Sequence, residues 1–584
     1  MAFLSGNEAI AQGAWEAGVR IGVAYPGTPS TETMEEFSKK PGVYAEWAPN
    51  EKVAVEVAMG ASAAGARVLA TMKHVGVNVA ADPLFTGSYT GVNGGFLVLC
   101  ADDPGMFSSQ NEQDSRFYAH AAHLPMLEPS DSSEALCFAR DAYELSEQFD
   151  TPVLMRTTVR TSHAKTVTEV GERTEVGLRP YAKDPSKWVM MPAFAKPRRV
   201  IVDARDASLR EWVDTCSYNV AEMRDTGIGI VCSGACYQYV RDALPDASTF
   251  KLGVVWPLPQ KRLEEFAAAV DKLYVVDEAS DYLSSHVKAL GIDVAPFVND
   301  LPHCGEVSPL AIAHAFGKEL PEHEAMPNDV PGRPPALCPG CPHRNVFKEL
   351  SRLRAIVTGD IGCYTLGALP PLSGMDTTLC MGGSVSMAHG FELAMAGTDH
   401  RPIVGVIGDS TFGHSGLSSL LGTAYNRGTG TICVLDNRTT AMTGQQGNPF
   451  NGVTLQNRAS REMNIEKIVA ALGIEDIQTV NPHDVEAVRA ALKSATSNED
   501  LSVIVFRAPC VLLDKKNRKP ACEVTSKCTA CGSCIRIGCP ALSRDDATGC
   551  ALIDPDLCIG CGDCAQYCRF DAIRVPAAKG GQNA

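Results

Sequence analysis

The stretch Gly408–Thr439 reads GDSTFGHSGLSSLLGTAYNRGTGTICVLDNRT, and its reading decides the fold. An apolar run, RPIVGVIGD, ends at Asp409, and a second, GTICVLDN, ends at Asn437. Between them lies a Ser- and Leu-rich segment of helix length. This is a βαβ unit with a carboxylate and an amide at the carboxyl ends of two strands, where open α/β sheets place their ligands. Asp409 and Asn437 are oxygen donors of the kind that suits magnesium, which takes few protein ligands and completes its octahedron with water and substrate phosphates. Two strand-end polar residues also occur in an ordinary doubly wound domain, so the rest of the chain has to decide.

Working outward, 584 residues are too many for one core and predict about three to five domains. The net charge of -16 argues against nucleic acid and against an anionic membrane surface as partners. No apolar run approaches the length of a bilayer span. The N-terminus has neither a basic start nor an apolar core segment, so no secretory leader is expected and the cytoplasm is the expected compartment. Of the 22 cysteines, ten fall between Cys522 and Cys568, a concentration that reads as metal binding rather than a disulfide framework.

Residues 1–185 alternate short apolar runs (IGVAYPG, RVLATMKHVG, GGFLVLCADD, TPVLMRTT) with helical patterns, which predicts parallel α/β architecture. Two places there carry chemistry. YPGTPSTE, from Tyr25, sets Thr28, Ser30 and Thr31 before a helix, where hydroxyls cap the helix or receive a carboxylate. NEKVAVEVAMGASAAGA, from Asn50, is a small-residue helix with Glu51 at its start, a favourable dipole partner in its plainest reading. Residues 190–320 carry their own strands, GIGIVCSG, KLGVVWPLP and KLYVVDEA, without a constellation of acids, bases or ligands, and read as structural. The Pro-rich PEHEAMPNDVPGRPPAL reads as a linker. Residues 337–520 form a further α/β domain, with Cys338 and Cys341 in LCPGCPHRN, Cys363 in GDIGCYTLG and Cys510 in LSVIVFRAPCVLLDK. Its MGGSVSMAHGFELA is a Gly-rich turn opening a helix, a place to meet a phosphate through Gly382 and Gly383.

Residues 521–584 change character. Cys528-x2-Cys531-x2-Cys534-x4-Cys539-Pro540 is followed by Cys558-x2-Cys561-x2-Cys564-x3-Cys568. This is the two-cluster ferredoxin arrangement, in which soft thiolates bind iron and the fourth cysteine of each run serves the other cluster. One 4Fe-4S cluster is thus assigned Cys528, Cys531, Cys534 and Cys568, and the other Cys539, Cys558, Cys561 and Cys564. The first run has one residue more than the standard before its last cysteine, and Arg569 stands where the second run would have Pro. Zinc is the competing metal. Cys522 and Cys550 fall outside the pattern and read as bystanders.

A thiamine-type site beside such clusters implies decarboxylation of a 2-oxo acid and removal of two electrons one at a time, leaving an acyl group for a thiol. The spacing from Asp409 to Asn437 resembles the thiamine diphosphate signature GDG…N, with Ser410 in place of its second Gly. YPGTPSTE, NEKVAVEVAMGAS, MKHVGVNVAADP, CPGCPHR, GDIGCYTLG, GDSTFGHSG, LDNRTTAMTG and the two cysteine runs together resemble the 2-oxoacid:ferredoxin oxidoreductases. Within that superfamily, over essentially the whole length, they resemble the large (alpha) subunits of the indolepyruvate branch, where GDS is usual. The resemblance implies several doubly wound α/β domains of thiamine-binding type plus a ferredoxin-like tail. It also implies an aryl pyruvate substrate, CoA as acceptor, ferredoxin as electron partner, and a smaller beta subunit in a heterotetramer of two alpha and two beta. Residue by residue, it implies that Glu51 bonds the aminopyrimidine of thiamine diphosphate. Asp409, Asn437 and the Thr439 carbonyl would hold Mg2+, with Gly408, Ser410, His343, Gly382 and Gly383 around the cofactor. Thr28 and Arg116 would meet the substrate carboxylate, while Lys73 and His74 are candidate proton relays or plain core residues. Cys338, Cys341, Cys363 and Cys510 resemble the ligands of a third 4Fe-4S cluster; the alternative is a set of structural thiols. A non-oxidative thiamine-dependent decarboxylase and a non-catalytic iron-sulfur scaffold are the rival functions.

Overall fold

The computed structural model describes residues 1–320, 330, 332, 334–513 and 518–576. The chain divides into two compact units, Met1–Met326 and Pro327–Ala584. The Pro-rich stretch expected as a linker falls, from 321 to 329, outside the described residues. Among the described residues, no helix is long and apolar enough to cross a membrane.

The first unit is built on a seven-stranded sheet. Its spatial order is Val254–Trp256, Met126–Leu127, Val153–Thr158, Phe96–Asp102, Val68–Lys73, Ile21–Ala24 and Tyr44–Trp47. All neighbours pair in parallel except Val254–Trp256, which runs antiparallel to Met126–Leu127. The central strands are buried throughout, as the continuous apolar runs of parallel sheets require. That edge strand belongs to the 190–320 segment, which also forms a four-stranded sheet of Leu273–Val275, Asp225–Ser233, Ala247–Leu252 and Val220–Glu222. One apolar core, with Phe96, Val98, Leu154, Phe250, Leu252 and Trp256, runs through both sheets.

A buried ion cluster fastens these layers. Arg116 grips the Asp114 carboxylate with Nε at 2.8 Å and Nη2 at 2.6 Å, and its Nη1 reaches Asp277 at 2.7 Å. Its remaining capacity goes to the Glu278 carbonyl and the face of Tyr282. Arg156, equally buried, bonds Asp102 at 2.6 Å and Glu128. Burial works against these cations, and the facing carboxylates more than offset it.

The second unit carries an all-parallel six-stranded sheet. Its order is Thr377–Thr378, Ile356–Gly359, Ile403–Gly408, Thr431–Asp436, Ser502–Arg507 and Asp476–Val480. Two short antiparallel pairs, Glu523–Val524 with Ile573–Arg574 and Leu542–Arg544 with Ala551–Ile553, form the cysteine-rich tail. The mixed α/β class with parallel sheets and an appended iron-sulfur module is the class the sequence predicted.

Breaking a buried ion pair by removing one partner typically costs about 3–5 kcal/mol. Arg116→Ala is therefore expected to lower the denaturation midpoint of the first unit by a loss of that order. An unchanged midpoint would free the guanidinium for other work.

Candidate functional site

In the first unit the chemistry gathers at the carboxyl ends of the strands. Asn50 caps the helix Glu51–Ala63 by accepting the Val53 N–H at 2.9 Å, which sets Glu51 in the first turn. The Glu51 carboxylate is buried against the helix His74–Thr90, where a Cβ on Gly76 would lie 2.5 Å from its Oε1. Gly76 is therefore the residue that lets the carboxylate reach its place. Glu56, by contrast, is exposed and pairs with Lys52. In the YPGTPSTE turn, Thr31 accepts the Gly27 N–H at 2.9 Å and Ser30 donates to the Gly27 carbonyl at 2.8 Å. Those two hydroxyls close the turn, and Thr28 remains half-buried beside it.

Lys73 ends the neighbouring strand. A Cβ on Gly27 would lie 3.0 Å from its Cβ, so its stem stands against the turn that carries Thr28. Its ammonium donates to the Ser108 carbonyl at 2.6 Å and stands 3.9 Å from Asp103. Burial pushes Lys73 down to about 8, with Asp103 pulling the other way. His74 is fully buried and points Nε2 at the Asn111 carbonyl, 3.2 Å away.

Arg116 requires a correction. Its guanidinium is fully buried and committed to Asp114, Asp277 and the Glu278 carbonyl, so it has no free edge for a substrate carboxylate. The sequence showed an arginine in a loop; it did not show the partner 161 residues away.

In the second unit, Asp409 and Asn437 both stand buried at strand ends, as the βαβ reading required. Asp409 accepts the Ser410 N–H at 2.7 Å and the Asn448 side-chain amide at 3.2 Å. Asn437 Oδ1 accepts the Thr439 N–H at 3.2 Å, and Arg438 between them has φ 66, a left-handed turn that brings the Asn437–Thr439 segment round. Burial, then the neighbouring Asp436, pushes the Asp409 carboxyl up to about 7. A divalent cation would supply the missing positive charge, and the carboxylate and amide oxygens fit a hard one. The helical segment after Asp409 opens into a π-helical turn at Phe412–Gly416, a feature frequent at functional sites.

Three further residues frame this edge. Gly408 is obligatory because the Tyr364 ring lies on it: a Cβ would come 2.7 Å from Tyr364 Cε1, and the Gly408 N–H donates to the Tyr364 hydroxyl at 2.9 Å. His343 packs edge-on to Tyr364 and places Nε2 3.3 Å from Asn437 Nδ2. Burial, with some help from His483, pushes His343 down to about 4, so at neutral pH it is uncharged. Gly382 and Gly383 depart from expectation. The Gly382 and Ser384 N–H groups donate to the Asp360 carboxylate at 3.0 and 3.1 Å, and the Gly383 N–H goes to the Cys380 carbonyl. An internal carboxylate already holds the anion position at this helix start, so these donors are not open to a phosphate. Asp360, Tyr364 and Asn448 were missed; the Asp in GDIG was the one available signal.

The thiols form three sets. Cys338, Cys341, Cys363 and Cys510 lie close enough to feel one another's charge. The Cys510 N–H donates to the Asn437 carbonyl at 3.0 Å, which ties this set to the Asp409 edge. Cys539, Cys558, Cys561 and Cys564 line one cavity in the tail, together with Pro339, Gly340 and Arg344. Cys528, Cys531, Cys534 and Cys568 likewise lie within reach of one another's charge. Among the described residues, no three His, Cys, Asp or Glu side chains converge as a single metal ion would need. A cubane asks for a different spacing, since each thiolate holds its own iron.

Arg344, the last residue of CPGCPHR, joins these sets. Its buried guanidinium donates to the carbonyls of Leu337 and Cys338 at 2.6 and 3.0 Å, and to those of Ile537, at 3.0 Å, and Gly538. Gly340, between Cys338 and Cys341, is pressed by Ile559, and a Cβ there would lie 3.5 Å from Cys561 Cβ.

Comparison with known proteins gives three family matches. Residues 12–206 match "Pyruvate flavodoxin/ferredoxin oxidoreductase, thiamine diP-bdg", residues 360–506 match "Thiamine pyrophosphate enzyme, C-terminal TPP binding domain", and residues 551–574 match "4Fe-4S binding domain". Among curated relatives, the indolepyruvate oxidoreductase subunit IorA of Thermococcus kodakarensis is 41% identical, over 98% of this chain and 96% of its own. The IorA subunits of Methanothermobacter thermautotrophicus and Archaeoglobus fulgidus are 41% and 39% identical, over 99% and 98% of this chain and 98% and 97% of theirs. A solved 2-oxoglutarate:ferredoxin oxidoreductase from Magnetococcus marinus overlays with a TM-score of 0.46 at 19% identity, over 54% of this chain and 64% of that one.

Proposed function

The chain belongs to the family of indolepyruvate oxidoreductase IorA subunits, and from that premise we propose that it oxidatively decarboxylates aryl pyruvates, indole-3-pyruvate among them. In the balanced reaction, the 2-oxo acid, coenzyme A and two oxidised ferredoxins give the acyl-CoA, carbon dioxide, a proton and two reduced ferredoxins. A smaller beta subunit completes a cytoplasmic heterotetramer of two of each. The observation that carries this reading is the contiguity within the second unit. The Asp409 edge, the Cys338 set and the cysteine-lined tail cavity are joined by the Cys510–Asn437 hydrogen bond, by Arg344 and by Gly340. A decarboxylase that simply protonated its product would need none of that chain of thiols.

Thiamine diphosphate, when bound, supplies the electron sink that lets a 2-oxo acid lose its carboxylate. In the first unit, Glu51 would hold the aminopyrimidine and exchange a proton with its ring nitrogen, a role its buried seat on Gly76 favours. In the second unit, Asp409, Asn437 and the Thr439 carbonyl would hold Mg2+, with Ser410 and neutral His343 alongside. Asn448 and the Ser410 N–H orient the Asp409 carboxylate. With Arg116 committed elsewhere, Lys73 beside Thr28 is the cation that meets the substrate carboxylate. Cys338, Cys341, Cys363 and Cys510 would hold a third 4Fe-4S cluster between the cofactor edge and the two tail clusters.

The deciding experiment is anaerobic. The chain is copurified with its beta partner, and cluster bleaching is followed on adding indole-3-pyruvate with and without coenzyme A. Bleaching that requires thiamine diphosphate, with full turnover only with coenzyme A, is the expected result. Glu51→Gln should slow it by roughly 10²–10⁴-fold. Carbon dioxide without bleaching would establish the non-oxidative decarboxylase, and intact clusters with neither signal the scaffold.

Lys73 carries its charge below about 8 and loses it above, so KM for the 2-oxo acid is expected to climb as pH rises through that value. Losing one charge-assisted hydrogen bond is worth about 1.5–3 kcal/mol, so Lys73→Met should raise KM at neutral pH roughly tenfold to a hundredfold and flatten the profile. A profile that keeps its shape in the variant would remove Lys73 from this role. Cys510→Ser should lower iron by about four per chain if its set holds a cubane; an unchanged count would return the four cysteines to a structural role.

A further inference from the structure

Two cysteines of the tail stand outside both cluster sets, and neither is placed at random. Cys522 immediately precedes the strand Glu523–Val524, and Cys550 immediately precedes the strand Ala551–Ile553, so each occupies the same place in its half of the module. Cys522 is almost wholly buried and lines the cavity formed by Cys539, Cys558, Cys561 and Cys564. Its backbone N–H donates to Cys558 Sγ at 3.4 Å, and its thiol lies in hydrogen-bonding contact with Cys564 Sγ. Cys550 stands by the first cysteine run: its thiol donates to the Cys528 carbonyl oxygen at 3.8 Å.

A cysteine bound to iron has given up its proton, so in the Cys522–Cys564 pair only the unligated member can donate. Cys522 then directs two donors, N–H and S–H, at two different ligands of one cluster, while the Cys550 S–H goes to a backbone carbonyl. Hydrogen bonds to cluster sulfurs stabilise the more negative, reduced state and so raise the reduction potential. Cys522 has a further reason to matter, because its cavity is the one that also takes in Pro339, Gly340 and Arg344 of the preceding α/β domain.

We propose that Cys522 is a positioning residue that donates hydrogen bonds to the thiolates of the Cys539 cluster and sets that cluster's potential. The redox step involved is a one-electron gain by the cluster; no bond forms or breaks, and the thiol keeps its proton. The proposal rests on the two-cluster reading of the tail. Failure of that reading is separable, because the unaltered protein would then show no pair of cubane signals.

The test is a redox titration of the anaerobically purified full chain with its partner, followed by electron paramagnetic resonance, with iron and sulfide assayed on the same samples. Cys522→Ala removes the S–H and keeps the N–H; Cys522→Ser restores a donor of similar size and guards against a variant that folds poorly. The expected result is unchanged iron and sulfide, a negative shift of one cluster's midpoint potential in Cys522→Ala, and recovery of most of that shift in Cys522→Ser. Cys550→Ala, which removes only a bond to a backbone carbonyl, is the control and should leave both midpoint potentials in place. Potentials in Cys522→Ala indistinguishable from those of the unaltered protein would overturn the proposal in favour of an inert core thiol. Loss of one cluster's iron in Cys522→Ala would overturn it in favour of direct ligation.

Discussion

The second unit depends on one guanidinium. Arg344 is buried, donates to four backbone carbonyls, and by doing so binds the Leu337–Cys338 loop to the Ile537–Gly538 turn of the tail. A buried cation satisfied by carbonyls alone is costly unless negative charge lies near. Two thiols lie within reach of its field, Cys341 on one side and Cys539 on the other, and burial pushes both up.

Buried carboxylates within each unit show the same economy of placement. Three of them are compensated in three ways. Glu51, in the first unit, sits at a helix N-terminus and is packed on a glycine; in the second, Asp360 is capped by the N–H groups of the helix it faces, and Asp409 has an amide, two backbone N–H groups and a like-charged neighbour. The last is the one left wanting a cation, and it is the one the strand-end position presents to a ligand. Glycines make the close approaches here: Gly76 under Glu51 and Gly408 under Tyr364 admit neighbours that any Cβ would exclude.

Much of this was legible in the sequence because it is local. Continuous apolar runs ending at Asp409 and Asn437 dictate parallel strands and place both residues at strand ends. What was illegible depends on distant pairing. Arg116 in NEQDSRFYAH looked like a substrate arginine because nothing nearby announces Asp277. Gly382 and Gly383 looked like a phosphate turn because the carboxylate that fills it, Asp360, arrives from another strand. Arg344 and Lys73 were quoted within motifs, but their work shows only when the loops they touch are folded beside them. Cys522 was set aside because its relation is to sulfur atoms across the module, not to a spacing.

The extra residue in the first cysteine run has a consequence of its own. It makes room for Gly538, whose backbone at φ 67 lies under Pro371 and whose carbonyl is one of the four that Arg344 takes. A duplicated ferredoxin module is nearly two-fold symmetric, and a symmetric object can seat either way round. One inserted amino acid breaks that equivalence: the Gly538 end of the first run is held by Arg344 while Cys531 at its other end stays exposed to solvent. The module thereby acquires polarity, a root and a tip, from its attachment instead of from its cysteines.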